Sequence, residues 1–153
     1  MDSLNYAGAH LSDLLDNLNN RDGKSEKTLN EFSKHRPFTK KITDPKVLAE
    51  LYLNVGDSYF YLKDYRTSTK YYDSTKVFAK RGKAERLSAL AILYRAEILG
   101  NEGSFAEASK DMQEAAKIFS EIADTSKLIN TKKFAFRIIL TPFRFSGIQD
   151  FTT

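Results

Sequence analysis

The chain repeats itself, and this constrains its fold more than any other feature. Ala49 to Lys80 (AELYLNVGDSYFYLKDYRTSTKYYDSTKVFAK) aligns with Ala89 to Ser120 (ALAILYRAEILGNEGSFAEASKDMQEAAKIFS) at a spacing of about 40 residues. Tyr65 corresponds to Phe105, Ser68 to Ala108, Tyr72 to Met112 and Thr75 to Ala115. A unit of this length cannot bury its apolar face alone, so copies have to stack on one another. Within each copy the apolar spacing is helical. Leu51, Val55, Ser58 and Leu62 share one face, a turn follows at Lys63-Asp64, and Tyr65, Ser68, Tyr72, Thr75 and Ala79 share another. Gly56 stands mid-helix, where glycine costs roughly 1 kcal/mol against alanine. It makes sense there if a neighbouring helix crosses too closely to leave room for a Cβ.

The second copy is punctuated by Gly100-Asn101-Glu102-Gly103. Ser104-Phe105-Ala106-Glu107 reads as a capping box, in which the Ser104 and Glu107 side chains satisfy amides at the next helix start. The helix that follows carries Phe105, Ala108, Met112, Ala115, Phe119 and Ile122 on one face. The N-terminal third holds a degenerate copy. Its parts are a stripe of Leu11, Leu14, Leu15 and Leu18, a turn at Asn19 to Gly23, and a second helix carrying Leu29 and Phe32 that closes at His35-Arg36-Pro37. Asp44 and Pro45 reopen helix as N-cap and first helical residue. Leu128 to Leu140 supplies a terminal helix that Thr141-Pro142 breaks. The expected fold is all-α, an α-solenoid of antiparallel helix pairs with no sheet. About seven helices are predicted, over roughly 4–19, 25–36, 45–63, 65–81, 84–100, 104–123 and 127–140. The organisation is a degenerate helix pair and basic linker (1–44), two repeats (45–125), and a terminal helix with a tail (126–153).

Composition removes several kinds of chemistry. Without cysteine there is no disulfide, thiolate metal site or Cys nucleophile, and two histidines, His10 and His35, cannot build a multi-His zinc site. The glycines are scattered rather than gathered into a phosphate-cradling loop, and neither histidine has a Ser or Asp arrangement of any specificity. Pairs such as Asp13 and Asp16, or Glu114 and Glu121, sit at ordinary surface-helix spacing, where solvation explains them better than acid–base work. No catalysis, cofactor or metal is expected. No stretch has the length of apolar residues that spans a bilayer, and Met1-Asp2-Ser3-Leu4-Asn5 has no basic leader before an apolar core, so the expectation is no membrane and a cytoplasmic location.

Tyr52, Val55, Gly56, Tyr59, Tyr65, Ser68, Tyr72 and Thr75 together resemble the tetratricopeptide pattern of a large residue, Leu, Gly and Tyr, then Tyr, Ala, Phe and Ala. Ser68 and Thr75 depart from the small apolar residues usual there, and Lys80 stands where the pattern often has proline. In the second copy Ala96 replaces the glycine and Arg95 the leucine; an unpaired buried Arg95 would be costly, which leaves the register of that helix open. The spacing is longer than the usual 34. It is similar to the repeats of spindle-orientation adaptors of the Pins/LGN type and of bacterial peptide-sensing regulators of the Rap type.

The resemblance implies a concave groove lined by the first helix of each pair, with Glu50, Leu53, Asn54, Asp57, Phe60 and Tyr61 facing a partner. Asn54 can both donate to and accept from a partner's backbone, and Phe60 and Tyr61 offer aromatic anchors. Leu53 and Phe60 have a competing reading as packing residues, and so, as core, do Tyr59, Tyr65 and Tyr72 within the tyrosine cluster. The leading function is a protein–protein adaptor that binds a peptide or helix of another protein. The alternative is a peptide-responsive regulatory module.

Nucleic acid is an outsider. The net charge of +4 is too small to argue for it. Lys34 to Lys41 reads as a solvated basic loop, with phosphate binding or a nuclear import signal as the alternatives. Lys76, Lys80, Arg81, Lys83 and Arg86 suit a helix C-terminus. Lys132, Lys133, Arg137 and Arg144, interleaved with phenylalanine, match no recognised nucleic-acid module.

Overall fold

The computed structural model describes residues 25–146. They form six helices with no strand among the described residues: α1 (Ser25–Thr39), α2 (Pro45–Tyr61), α3 (Tyr65–Arg81), α4 (Glu85–Asn101), α5 (Phe105–Glu121) and α6 (Thr125–Ser146). The chain is all-helical as expected, with six helices described rather than seven. The helix expected over 4–19, with its leucine stripe, lies outside the described residues.

One device recurs down the chain. Helices α2 to α5 are each 17 residues long. Lys63, Lys83, Gly103 and Ala123, each twenty residues after the one before, adopt positive φ (62°, 52°, 82° and 56°). The residue after each sends its amide back to a carbonyl of the last helical turn: Asp64 to Tyr59, Ala84 to Ala79, Ser104 to Leu99 and Asp124 to Phe119. The positive-φ residues themselves bond Phe60, Lys80, Gly100 and Ser120. This double closure is the Schellman motif, which satisfies orphan carbonyls and reverses the chain within three residues. The next helix starts on a cap. Asp44 accepts the Lys46 amide (2.8 Å), Asp64 that of Thr67 (3.1 Å) and Asp124 that of Lys127 (3.1 Å). The Thr67 hydrogen bonds hold the Asp64 carboxyl below its ordinary range.

Two compact units divide between Leu87 and Ser88. In the first, α2 and α3 pack antiparallel. Phe60 meets Tyr65 next to the turn (ring centroids 5.6 Å apart), and Tyr52 meets Phe78 at the other end (5.5 Å). Between them the helices close on Gly56, as its mid-helix position implies. A Cβ built there would stand 2.7 Å from Tyr72 Cε1. Tyr72 is buried, and its hydroxyl donates to Asp57 Oδ1 (2.8 Å), while Ser68 Oγ donates to the Gly56 carbonyl (2.8 Å). Helix α1 adds Phe32 to a core with Leu51 and Val55, bordered by Leu29, Ile42, Tyr52, Tyr59 and Tyr71.

The second unit repeats this scheme with different side chains. Ala96 stands for Gly56 and packs with Ala108 and Met112, and Phe105, Leu99, Phe134 and Ala135 close round them. The aligned positions share their environment. Ser68 and Ala108, Tyr72 and Met112, Thr75 and Ala115, and Ala79 and Phe119 are all buried.

Three local expectations need correction. Helix α1 does not close at His35-Arg36-Pro37 but runs on to Thr39, so most of the basic stretch expected as a loop is helical. Pro37 lies in the last turn: lacking an N–H it gives up the bond to the Ser33 carbonyl, but only one short turn follows it, and there Thr39 Oγ1 donates to the Arg36 carbonyl (2.8 Å). Helix α6 likewise passes Pro142 and ends at Ser146. Ser104 is the N-cap of α5 yet makes no side-chain capping bond. Its backbone angles (φ −80°, ψ 60°) are close to those of Asp64 (φ −83°, ψ 72°). Side-chain capping goes with β-region backbone, which a ψ of 60° falls short of at Ser104, while Asp64 still makes its bond to the Thr67 amide.

Candidate functional site

The expected groove residues all lie on α2, and their helical positions divide them. Glu50, Asn54, Asp57 and Tyr61 recur at intervals of four, three and four, which places them along one stripe of the helix. Glu50, Asn54 and Asp57 are half-buried, and Tyr61 is 62% exposed. Asn54 gives its backbone carbonyl to Ser58 Oγ (3.0 Å), and its side-chain amide takes no hydrogen-bond partner among the described residues. That leaves both amide functions available. Asp57 is already engaged by Tyr72, so it ties α2 to α3 as well as bordering the stripe.

The other two flank this stripe. Leu53 is buried. Phe60 is half-buried, edge-on to Tyr61 (5.9 Å) and tilted against Tyr65. Tyr61 therefore stands out from the helix end on an aromatic base. Tyr52, Tyr59 and Tyr71 turn the other way. Tyr71 lies among Phe32, Tyr52 and Tyr59, stacked on Tyr59 with ring planes 9° apart, and burial pushes its phenol up from the ordinary value.

The second unit carries a counterpart that sequence reading missed. Forty residues on from Asn54, Asp57 and Tyr61 stand Tyr94, Glu97 and Asn101 of α4, and a further forty on from Tyr94 and Glu97 stand Phe134 and Arg137 of α6. Tyr94 and Glu97 are half-buried, and Asn101 is exposed. Burial pushes the Glu97 carboxyl up, and the positive charge of Arg137 opposes that shift. Arg137 lies over the Phe134 ring, 4.7 Å from its centroid. The alignment already contained this correspondence, but Arg95 obscured it, because a cation at the Val55 position reads as a register error. The structure keeps the register and pairs the charge. Arg95 Nε and Nη2 donate to the two carboxylate oxygens of Asp111 at 2.7 and 2.8 Å, and Asp111 is buried. Asp111 in turn occupies the position of Tyr71, so one aromatic contact in the first unit is an ion pair in the second.

Among the described residues no three His, Cys, Asp or Glu side chains gather in a way that would hold a metal ion, and no helix is long and apolar enough to cross a membrane. Compared with known proteins, the chain matches no family model, no curated protein and no solved structure.

Proposed function

We propose that the chain is a tetratricopeptide-type interaction module that catalyses nothing. In this reading its helix pairs stack as a right-handed solenoid and hold a peptide or helix of another protein along the first helix of each pair. One observation carries the reading. Equivalent positions of α2 and α4 present partly exposed polar and aromatic side chains, Asn54 and Tyr94, Asp57 and Glu97, Tyr61 and Asn101, while the second helix of each pair is anchored through equivalent buried residues. A ladder of exposed, hydrogen-bonding side chains on a buried, repeated frame suits recognition of an extended partner better than chemistry at one point.

The test separates binding from folding. A partner is first identified by affinity capture and mass spectrometry and then titrated against variants. Asn54→Ala should weaken binding by roughly 1–3 kcal/mol, because a desolvated partner group loses its hydrogen bond, and should leave the melting temperature unchanged. Tyr72→Ala should instead lower stability by roughly 3–5 kcal/mol through the cavity it opens beside Gly56. Normal binding by Asn54→Ala, or early melting of that variant, would remove Asn54 from the site.

A further inference from the structure

Helix α6 stands in register with α2 and α4. Ala49, Tyr52, Leu53 and Gly56 of α2 correspond to Ala89, Ile92, Leu93 and Ala96 of α4, and to Ile129, Lys132, Lys133 and Phe136 of α6. In α2 this face lies under α3: Tyr52 packs on Tyr71 and Phe78, and Gly56 lies beneath Tyr72. In α4, Ala96 packs on Ala108 and Met112 of α5. Of these eight residues seven are buried and Tyr52 is half-buried.

In α6 all four are exposed, Ile129 to 48% and Phe136 to 65%. The other side of α6 is held as in its counterparts: Thr131 is buried, and Phe134 and Ala135 close the core of Ala96, Ala108 and Met112. So α6 is anchored by its back, and no described residue covers the face that in the two preceding copies lies under a second helix.

We infer that this face docks an acidic amphipathic helix of another protein. Its chemistry specifies the occupant in two ways. First, each intramolecular pair sets a small residue on the first helix against a large one on the second, Gly56 under Tyr72 and Ala96 against Met112. Phe136 inverts that order, so the incoming helix needs alanine or glycine at the crossing point, with apolar residues either side for Ile129 and the Phe136 ring. Second, Lys132 and Lys133 are exposed and have no carboxylate partner among the described residues. They call for carboxylates flanking the apolar stripe. A second copy of α6 is a poor occupant, because a two-fold contact would set these lysines against their own symmetry mates. A face meant only for water would not carry Ile129 and Phe136 between its lysines.

The experiment uses the full chain and two labelled helical peptides followed by fluorescence anisotropy. Both carry a leucine stripe with alanine at its centre; one is flanked by glutamates, the other by lysines. The glutamate peptide should saturate at one per chain, and the lysine peptide should bind at least roughly tenfold more weakly. Phe136→Gln should weaken the glutamate peptide at least roughly tenfold without changing the helical circular dichroism spectrum, since the side chain is exposed. Lys132→Glu with Lys133→Glu should reverse the preference between the peptides. Asn54→Ala should leave both titrations unchanged, which separates this face from the groove on α2. Equal binding of the two peptides, or glutamate-peptide binding indifferent to Phe136→Gln, overturns the inference. So does self-association of the chain in sedimentation that Phe136→Gln abolishes, because the face would then belong to a second copy.

Discussion

Replacing Gly56 by alanine sets two effects of opposite sign against each other. In an unobstructed helix the change would stabilise the protein by roughly 1 kcal/mol through backbone propensity. Here the new methyl would stand 2.7 and 2.8 Å from Cε1 and Cδ1 of Tyr72, well inside contact distance. Tyr72 has little room to retreat, being 1% exposed and tethered by its hydroxyl to Asp57. Overpacking of this kind costs about 1–3 kcal/mol, and a displaced ring forfeits a hydrogen bond worth about 0.5–1.5 kcal/mol. The net expectation is destabilisation by about 1–2 kcal/mol, read as a shift in the urea midpoint at unchanged slope. The second unit supplies the control. It carries Ala96 and Met112 at these positions, so in a Tyr72→Met background Gly56→Ala should become neutral or stabilising. The coupling energy from the four proteins should be about 2 kcal/mol. If Gly56→Ala stabilises the wild-type protein, or costs the same with methionine at 72, steric closeness to Tyr72 is not what keeps glycine there.

Three further predictions follow from the same structure. Lys63, Lys83 and Ala123 adopt positive φ with a Cβ, so glycine at each should raise the melting temperature by an amount equivalent to about 0.5–1 kcal/mol, against a loss at an ordinary helical site. Asp111→Ala should cost about 3–5 kcal/mol by removing the carboxylate that both Arg95 Nε and Nη2 donate to in a largely buried site, whereas Arg95→Val with Asp111→Tyr, the first unit's own combination, should recover most of that in chemical denaturation. Glu97 has its carboxyl raised by burial, so the ionised form opposes folding. Its protonated form favours the folded state at low pH, and that advantage is lost as pH rises through the raised value. Glu97→Gln should therefore stabilise the protein at neutral pH, with the gain fading below about pH 4, the ordinary carboxylate range, in melts across pH.

The parts of this fold that follow from periodicity and close packing were legible in the sequence. The spacing of Tyr65, Ser68, Tyr72 and Thr75 marks a buried stripe, and a mid-helix Gly56 announces a close crossing, because both depend on side-chain volume. Features decided by backbone geometry were not. Three of the four positive-φ closures carry Lys or Ala, so no glycine marks them. Pro37 and Pro142 read as stops because the cost of proline depends on where in a helix it falls, and that is set by the ends. In the candidate site, Glu50, Asn54, Asp57 and Tyr61 came from the resemblance to tetratricopeptide repeats, and their intervals of four, three and four set them on one stripe of the helix. Glu97 and Arg137 were missed because recognising them requires knowing that Arg95 is paired with Asp111, sixteen residues away. A partner for a buried charge has no periodicity to betray it.

Three hydrogen bonds that tie one helix to the next span 12, 15 and 16 residues, from Ser68 to Gly56, Tyr72 to Asp57 and Arg95 to Asp111. Each is a single hairpin closure, so the entropy lost before the first native contact forms is that of a short loop. Such wiring gives a low contact order, and chains of this kind fold in microseconds to milliseconds. It also means that each hairpin can begin to close during synthesis once its second helix has emerged, and is then made stable when the next copy stacks on it.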